Sequence, residues 1–149
     1  MFRSSGENQL TEVTRLKGRG IGGGFGEGPA LVTNQPISFF GEVDPETGKI
    51  VSQRSNIRGE CVSGCVLVFP HGRGSTVGSY VIFALKENGV APCAIINEET
   101  EVIIVAGCSL ANIPLVDRID GFTTSLVKNG DKVRVDGSNG WIEIERRLQ

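Results

Sequence analysis

Surplus charge of either sign is missing from the sequence: Lys and Arg number 15 against 17 Asp and Glu, a formal net charge of -2. That balance leaves no basic footprint for nucleic acid. No apolar run approaches the ~20 residues needed to cross a bilayer. The first stretch, Met1 to Gln9, lacks the apolar centre of a secretory signal. These absences predict a soluble, cytoplasmic protein that engages neither nucleic acid nor membrane. Histidine occurs once, as His71, and Cys61, Cys65, Cys93 and Cys108 include no CxxC pair. A zinc site is poorly supported by that set. The cysteines read as small buried hydrophobes in a reducing compartment. Asp44, Glu98, Glu99, Glu101 and Asp117 form neither a paired-carboxylate nor a metal-ligand pattern. The Gly-Lys-Ser/Thr of a P-loop and the GxSxG elbow are both absent.

What the chain has in excess is glycine, 21 residues of 149, about twice the usual ~7% share. Strands surround most of these glycines, so they predict tight turns and close backbone approaches. The length fits one domain with a real core. Residues 1–15 read as a flexible polar extension and 16–149 as the domain. A formal GxGxxG occurs at Gly18, Gly20 and Gly23. No strong strand precedes it and no helix pattern follows, so it reads as a flexed strand or loop at a sheet edge.

Pro29 to Thr33 is an expected strand, and Pro36 to Gly41 a proline-led apolar loop. Asp44-Pro45-Glu46-Thr47-Gly48 is a turn by its chemistry. Lys49-Ile50-Val51 begins another expected strand. The run Cys65-Val66-Leu67-Val68-Phe69 predicts a buried strand. Tyr80 to Asn88 has helical spacing with Gly89 as its stop. Ala91 to Asn97 predicts a second buried strand, paired parallel to the first across the helix. Val102 to Ala111 is a short helix capped by Thr100 or Asn97, and Ile113 to Asp117 a further strand. Lys132–Asp136 and Trp141–Glu145 alternate strictly around Gly137-Ser138-Asn139-Gly140, which makes a β-hairpin.

One stretch stands apart: Pro70-His71-Gly72-Arg73-Gly74-Ser75-Thr76-Val77-Gly78-Ser79. It is a glycine-rich turn from a strand into a helix, carrying an arginine and three hydroxyls. Free N–H groups at a helix start, with the positive end of the dipole, favour an anion. Gly72, Gly74 and Gly78 clear side chains from the approach. Ser75 and Thr76 serve here as N-caps, as ligands for a carboxylate or phosphate, or as an activated oxygen. Arg73 can pin an anion bidentately. The residues alone stop at an anion-binding strand–loop–helix without a complete catalytic set.

Taken together, several stretches resemble the small subunit of the aconitase X family. They are Gly28-Pro29-Ala30-Leu31-Val32, Pro36-Ile37-Ser38-Phe39-Phe40-Gly41, Val43-Asp44-Pro45-Glu46-Thr47-Gly48 and Gly72-Arg73-Gly74-Ser75-Thr76-Val77-Gly78-Ser79. Ala91-Pro92 with Ile95-Ile96, and then Ile113-Pro114-Leu115-Val116-Asp117, follow in the same order. The likeness covers roughly Leu16 to Glu145, and the Ser-Thr-Val-Gly-Ser-Tyr form is most similar to archaeal members. It implies a mixed α/β fold, a swivelling β/β/α domain with a barrel-like β core and a central strand–loop–helix–strand unit. It implies a large subunit that carries an iron–sulfur cluster, of the [4Fe-4S] type, on its own cysteines, with none bound by this chain. The implied reaction is dehydration of (R)-5-phosphomevalonate to trans-anhydromevalonate 5-phosphate, with Ser75 as proton acceptor and Arg73, Gly74 and Thr76 meeting the substrate. The alternatives are dehydration of cis-3-hydroxy-L-proline by the same family, and a non-catalytic anion-binding or assembly module in which Ser75 is only a cap.

Overall fold

The computed structural model of the chain describes residues 10–121 and 124–148. Its elements run β1 (Thr11–Lys17), β2 (Arg19–Gly22), β3 (Phe25–Val32), α1 (Phe39–Glu42), β4 (Val66–Phe69), α2 (Gly78–Glu87), β5 (Ala94–Asn97), α3 (Val102–Ala111), β6 (Leu115–Asp117), a 3₁₀ turn (Thr124–Leu126), β7 (Lys132–Asp136) and β8 (Trp141–Arg147). Of the extension expected over residues 1–15, residues 1–9 lie outside the described residues. From Thr11 the chain is already strand, paired with β8 from Thr11↔Arg147 to Lys17↔Trp141.

All strands join one sheet in the order β1-β8-β7-β3-β4-β5-β6-β2. The strands at its two ends, β1 and β2, are separated in sequence by Gly18 alone. The sheet therefore rolls up, and its ends meet where the chain passes from β1 to β2. That seam explains the glycines. Gly18 N–H donates to Gly140 O at 2.7 Å, and a Cβ on Gly18 would fall 2.6 Å from Asp117 O. At Gly20 a Cβ would sit 2.5 Å from Gly137 O. No ordinary side chain fits between backbones that close, so the formal dinucleotide motif is the barrel seam. Arg19 locks it with two 2.8 Å hydrogen bonds to the fully buried Asp117 carboxylate, which also accepts Thr100 N–H at 2.9 Å.

Alternation along each strand separates two cores. Val66, Val68, Ala94, Ile96 and Val116 face the barrel interior with Val133, Val135, Ile142 and Ile144 from the hairpin. Leu67, Phe69, Ile95 and Leu115 face outward and are covered by Val81, Ile82 and Leu85 of α2 and Ile104, Cys108 and Ala111 of α3. The layers are thus β, β and α. Each large side chain buried this way contributes about 1.5–3 kcal/mol.

β4 and β5 pair in parallel, with Val66 opposite Ala94, and β5 continues parallel to β6. The hairpin forms with Asp136 opposite Trp141. Gly89 ends α2 with φ of +73°. β5 and β6 begin later than the apolar runs suggest, after Pro92 and Pro114, which offer no N–H to a ladder. The strand expected at Lys49–Val51 is reduced to single bridges, Val43 to Ile50 and Lys49 to Cys61. Its N–H groups go to separate partners, Ile50 to Glu60 O and Val51 to Glu42 O, so no ladder propagates. The cap of α3 is neither Thr100 nor Asn97. Glu101 takes that role, its carboxylate accepting Ile103 and Ile104 N–H at 3.0 Å each, which places negative charge at the positive end of the helix.

Candidate functional site

The Pro70–Gly78 loop leaves the C-terminal end of β4 and enters α2. Its first half is fastened to the segment before α1. Ile37 N–H donates to His71 O at 3.3 Å, and Arg73 N–H returns to Ile37 O at 3.0 Å. Gly72 is buried between them, and a Cβ there would collide with Glu101 Oε1 and with Ile104. Gly74 has φ of +89°, and a Cβ on it would collide with Ser38 Oγ. Glycine is needed at both positions, once for a close approach and once for the left-handed backbone.

Ser75 stands exposed at the tip. Its Oγ accepts Val77 N–H at 3.1 Å. Among the described residues no carboxylate, imidazole or amine reaches that oxygen. The hydroxyl is not a helix cap. α2 starts three residues later, at Gly78, with Val77 in the N-cap position and no side-chain cap bond. The N–H groups at the helix start are also not free. Those of Gly78, Ser79 and Tyr80 donate back to the carbonyls of Ser75, Thr76 and Val77 at 2.9, 3.2 and 3.0 Å. Ser79 Oγ closes the turn on Thr76 O at 2.9 Å. The unpaired donors lie just upstream: no hydrogen bond within the chain engages the N–H of Gly74, Ser75 or Thr76 among the described residues. The unpaired main-chain donors of the loop therefore lie at its tip, one turn before the helix proper.

Arg73 forms an ion pair with Glu42. Its side chain is 53% exposed and that of Glu42 18%. Glu42 also accepts Ser38 N–H through its other oxygen at 3.0 Å, so the carboxylate is fixed from two sides and orients the guanidinium. The Arg73 charge is partly compensated by this pair, and the donor that reaches Ser75 Oγ is the main-chain N–H of Val77. His71 is exposed, with Nδ1 2.8 Å from Gly72 O; that bond makes Nδ1 the protonated nitrogen and turns the ring toward its own loop. The acidic residues singled out in the sequence are structural. Asp44 holds its turn through Glu46 N–H at 2.9 Å, and Glu98 accepts Thr124 N–H at 2.8 Å. Glu99 pairs bidentately with Arg118, whose hydrogen bonds hold its carboxyl below the ordinary value.

Beside Arg73 opens a cleft of about 230 Å³, lined by Thr33, Gln35, Ile37, Glu42 and Arg54 among others. Glu42, Gln35 and Arg54 are functional candidates that sequence reasoning missed. They come from the segment before α1, from the end of α1 and from the loop after it, and only the fold brings them together.

The residues of this chain do not fit an iron–sulfur cluster. Such clusters need several converging thiolates. Among the described residues no group of three or more His, Cys, Asp or Glu is placed to hold a metal. Cys61 Sγ donates to Thr47 O and Cys65 Sγ to Cys61 O. Burial raises the thiol pKa of Cys65 and Cys93 and pushes that of Cys108 up to about 12. The described residues also contain no helix long and apolar enough to cross a membrane.

A family profile described as the aconitase X swivel domain matches residues 15–144. The phosphomevalonate dehydratase small subunit of Methanosarcina acetivorans is 52% identical over 130 residues, covering 87% of this chain and 90% of that protein. The protein of the same name from Pyrococcus furiosus is 53% identical over 130 residues, 87% of this chain and 95% of its own. A crystal structure of Thermococcus kodakaraensis aconitase X in its holo-form superposes with a TM-score of 0.82 at 50% identity, covering 91% of this chain and 99% of that one. With the family profile covering most of its length and a solved relative superposing at half-identical sequence, the chain belongs to the aconitase X swivel-domain family.

Proposed function

We propose that this chain is the small subunit of a cytoplasmic hydro-lyase that dehydrates (R)-5-phosphomevalonate to trans-anhydromevalonate 5-phosphate, and that Ser75 is its proton acceptor. The observation that carries the reading is the tip of the Pro70–Gly78 loop. Ser75 Oγ is exposed, accepts a main-chain N–H from Val77, and is flanked by the unpaired N–H groups of Gly74, Ser75 and Thr76. The relatives' shared name supports the substrate.

The reaction takes a proton from the carbon beside a carboxylate and expels a hydroxyl from the next carbon. A serine hydroxyl is a poor base unless its ionised form is stabilised. Three features of this loop do that. The Val77 N–H donates to the oxygen itself, and a hydrogen bond to the charged form lowers a pKa. The α2 N-terminus lies directly behind the loop, with its partial positive charge toward Ser75. The N–H groups of Gly74 and Thr76 are preorganised, so they stabilise negative charge on the serine or on the substrate carboxylate without reorganisation. Arg73, oriented by Glu42, presents its exposed face to the same anionic substrate.

The relatives' name, small subunit, supports a second, larger subunit that completes the site. The cluster that the family resemblance implies belongs on that subunit's cysteines. The test is reconstitution: the chain purified with its large subunit should release water from (R)-5-phosphomevalonate, and either chain alone should not. Turnover of cis-3-hydroxy-L-proline in its place, or turnover by this chain alone, would overturn the reading.

A further inference from the structure

We infer that Arg54 binds the phosphate of the substrate, in the cleft that begins at Arg73; the inference rests on the dehydratase reading above for the identity of that substrate. The cleft holds two arginines and one carboxylate, Arg54, Arg73 and Glu42. Glu42 is consumed by Arg73. Among the described residues no carboxylate comes within ion-pair distance of the Arg54 guanidinium. The walls therefore carry one uncompensated positive charge, with the hydroxyl-bearing residues Ser52 and Ser55 lining the same cleft. A guanidinium beside hydroxyls is the donor set for a phosphate dianion.

An exposed arginine is usually just solvated, so the decisive point is how its backbone is held. The side-chain amide of Gln35 grips the loop at Arg54 and again two residues on, at Asn56. Its Nε2 donates to Arg54 O at 3.1 Å, and its Oε1 accepts Asn56 N–H at 2.8 Å. Arg54 N–H donates to Ser52 Oγ at 3.3 Å. Thr33 Oγ1 donates to Asn56 Oδ1 at 2.6 Å, and Asn56 Nδ2 to Asn34 Oδ1 at 3.2 Å. Residues 51–56 themselves bury no hydrophobic side chain and run between the core residues Ile50 and Ile57, so the polar contacts hold the loop between those two anchors. Fixing each residue costs about 1–2 kcal/mol of backbone entropy, and here polar side chains from the Thr33–Gln35 segment offset that cost. What the arrangement achieves is to hold Arg54 on one wall of the cleft while the loop bearing Arg73 and Ser75 forms the other. In phosphomevalonate the phosphate lies at the opposite end of the carbon chain from the carboxylate and the acidic carbon. A substrate with its acidic carbon at Ser75 would pass Arg73 and place its phosphate in the cleft that Arg73 and Arg54 both line.

The experiment uses the assembled complex with Arg54→Ala, Arg54→Lys and Gln35→Ala. Arg54→Ala should raise KM for (R)-5-phosphomevalonate on the order of 10–100-fold, the usual effect of losing a charge-assisted contact, with kcat changed less than about 3-fold and melting unchanged. Arg54→Lys should recover part of the loss. Gln35→Ala, which acts by positioning, should raise KM less, again without a matching fall in kcat. Inorganic phosphate, titrated by calorimetry, should bind the wild-type complex and fail to bind Arg54→Ala. Equal phosphate binding by both, binding by neither, or an unchanged KM overturns the assignment. If phosphate binding depends on Arg54 but the wild-type complex does not dehydrate phosphomevalonate, the anion site stands and the dehydratase reading falls.

Discussion

Replacing Ser75 by alanine separates a base from a structural hydroxyl, because the structure makes the two costs unequal. The side chain is exposed and contributes one hydrogen bond, from Val77 N–H at 3.1 Å. Losing such a bond costs about 0.5–1.5 kcal/mol, and the freed N–H can turn to water. Against a margin of roughly 5–15 kcal/mol, that leaves the domain folded. It corresponds to a fall of about 2–6 °C in Tm for a domain near this size. The Ser75 main-chain carbonyl still accepts Gly78 N–H, so α2 keeps its first turn. Removing a general base costs on the order of 10²–10⁴ in rate. Thr76→Ala is the control: its main-chain oxygen, not its hydroxyl, receives the Ser79 bonds, so the substitution removes a neighbouring hydroxyl and leaves the turn intact. The assay is proton-NMR detection of the dehydrated product by the two-subunit complex, beside size-exclusion chromatography and a thermal melt of each variant. Ser75→Ala should assemble, melt close to wild type and lose nearly all turnover. A complex that assembles and keeps activity within about threefold of wild type would refute the role of Ser75 and move the base to the large subunit.

Gly74→Ala should lower stability by about 1–2 kcal/mol through its left-handed backbone, displace Ser75 through the contact with Ser38, and cut turnover; a variant that melts and reacts as wild type would show that the loop tolerates a side chain. Acid sensitivity should depend on Asp131. Burial pushes its carboxyl up, but hydrogen bonds from Arg146 and Lys128 N–H outweigh burial and hold it below the ordinary 3.8. A depressed pKa in the folded state contributes stability above 3.8 that is lost as pH falls through the folded value, so urea melts of Asp131→Asn should lose part of the wild-type decline in that acid window. Thiol labelling of the native chain should reach the exposed Cys61 first and leave the buried Cys108 untouched. Fast labelling of Cys108 would contradict a thiol pushed up to about 12 by burial.

The parts of the fold that could be read from sequence are those whose cause is local. The β7–β8 hairpin follows from strict alternation around a four-residue loop, and α3 spans Val102–Ala111 as its composition predicts. The serine loop was legible for the same reason, since an apolar strand, three glycines and a helical run lie side by side. The seam at Gly18 and Gly20 looked like a weak nucleotide motif because its cause is distant: it is set by backbone at Asp117, Gly137 and Gly140. The cap of α3 differs from the expected one because the longer Glu101 carboxylate satisfies two N–H groups, whereas Thr100 Oγ1 is buried and meets none of them.

The cleft is the clearest case of a feature with no local signal. Gln35 and Arg54 stand 19 positions apart, and Arg73 and Glu42 31 apart. Each is ordinary in its own stretch. Their meeting depends on the Ile37–Gly72 bridge, which draws the segment before α1 against the serine loop, and on the Gln35 amide, which draws residues 54–56 against that segment. Those two links set the order in which the site is built. The barrel fixes β4, β4 fixes the serine loop, the serine loop fixes Ile37, and Ile37 carries Gln35 to the loop that presents Arg54. A substitution at Gln35 should therefore disturb Arg54 and spare Ser75, whereas disruption of the Ile37–Gly72 bridge should disturb both. The first change would appear in KM and the second in KM and kcat together.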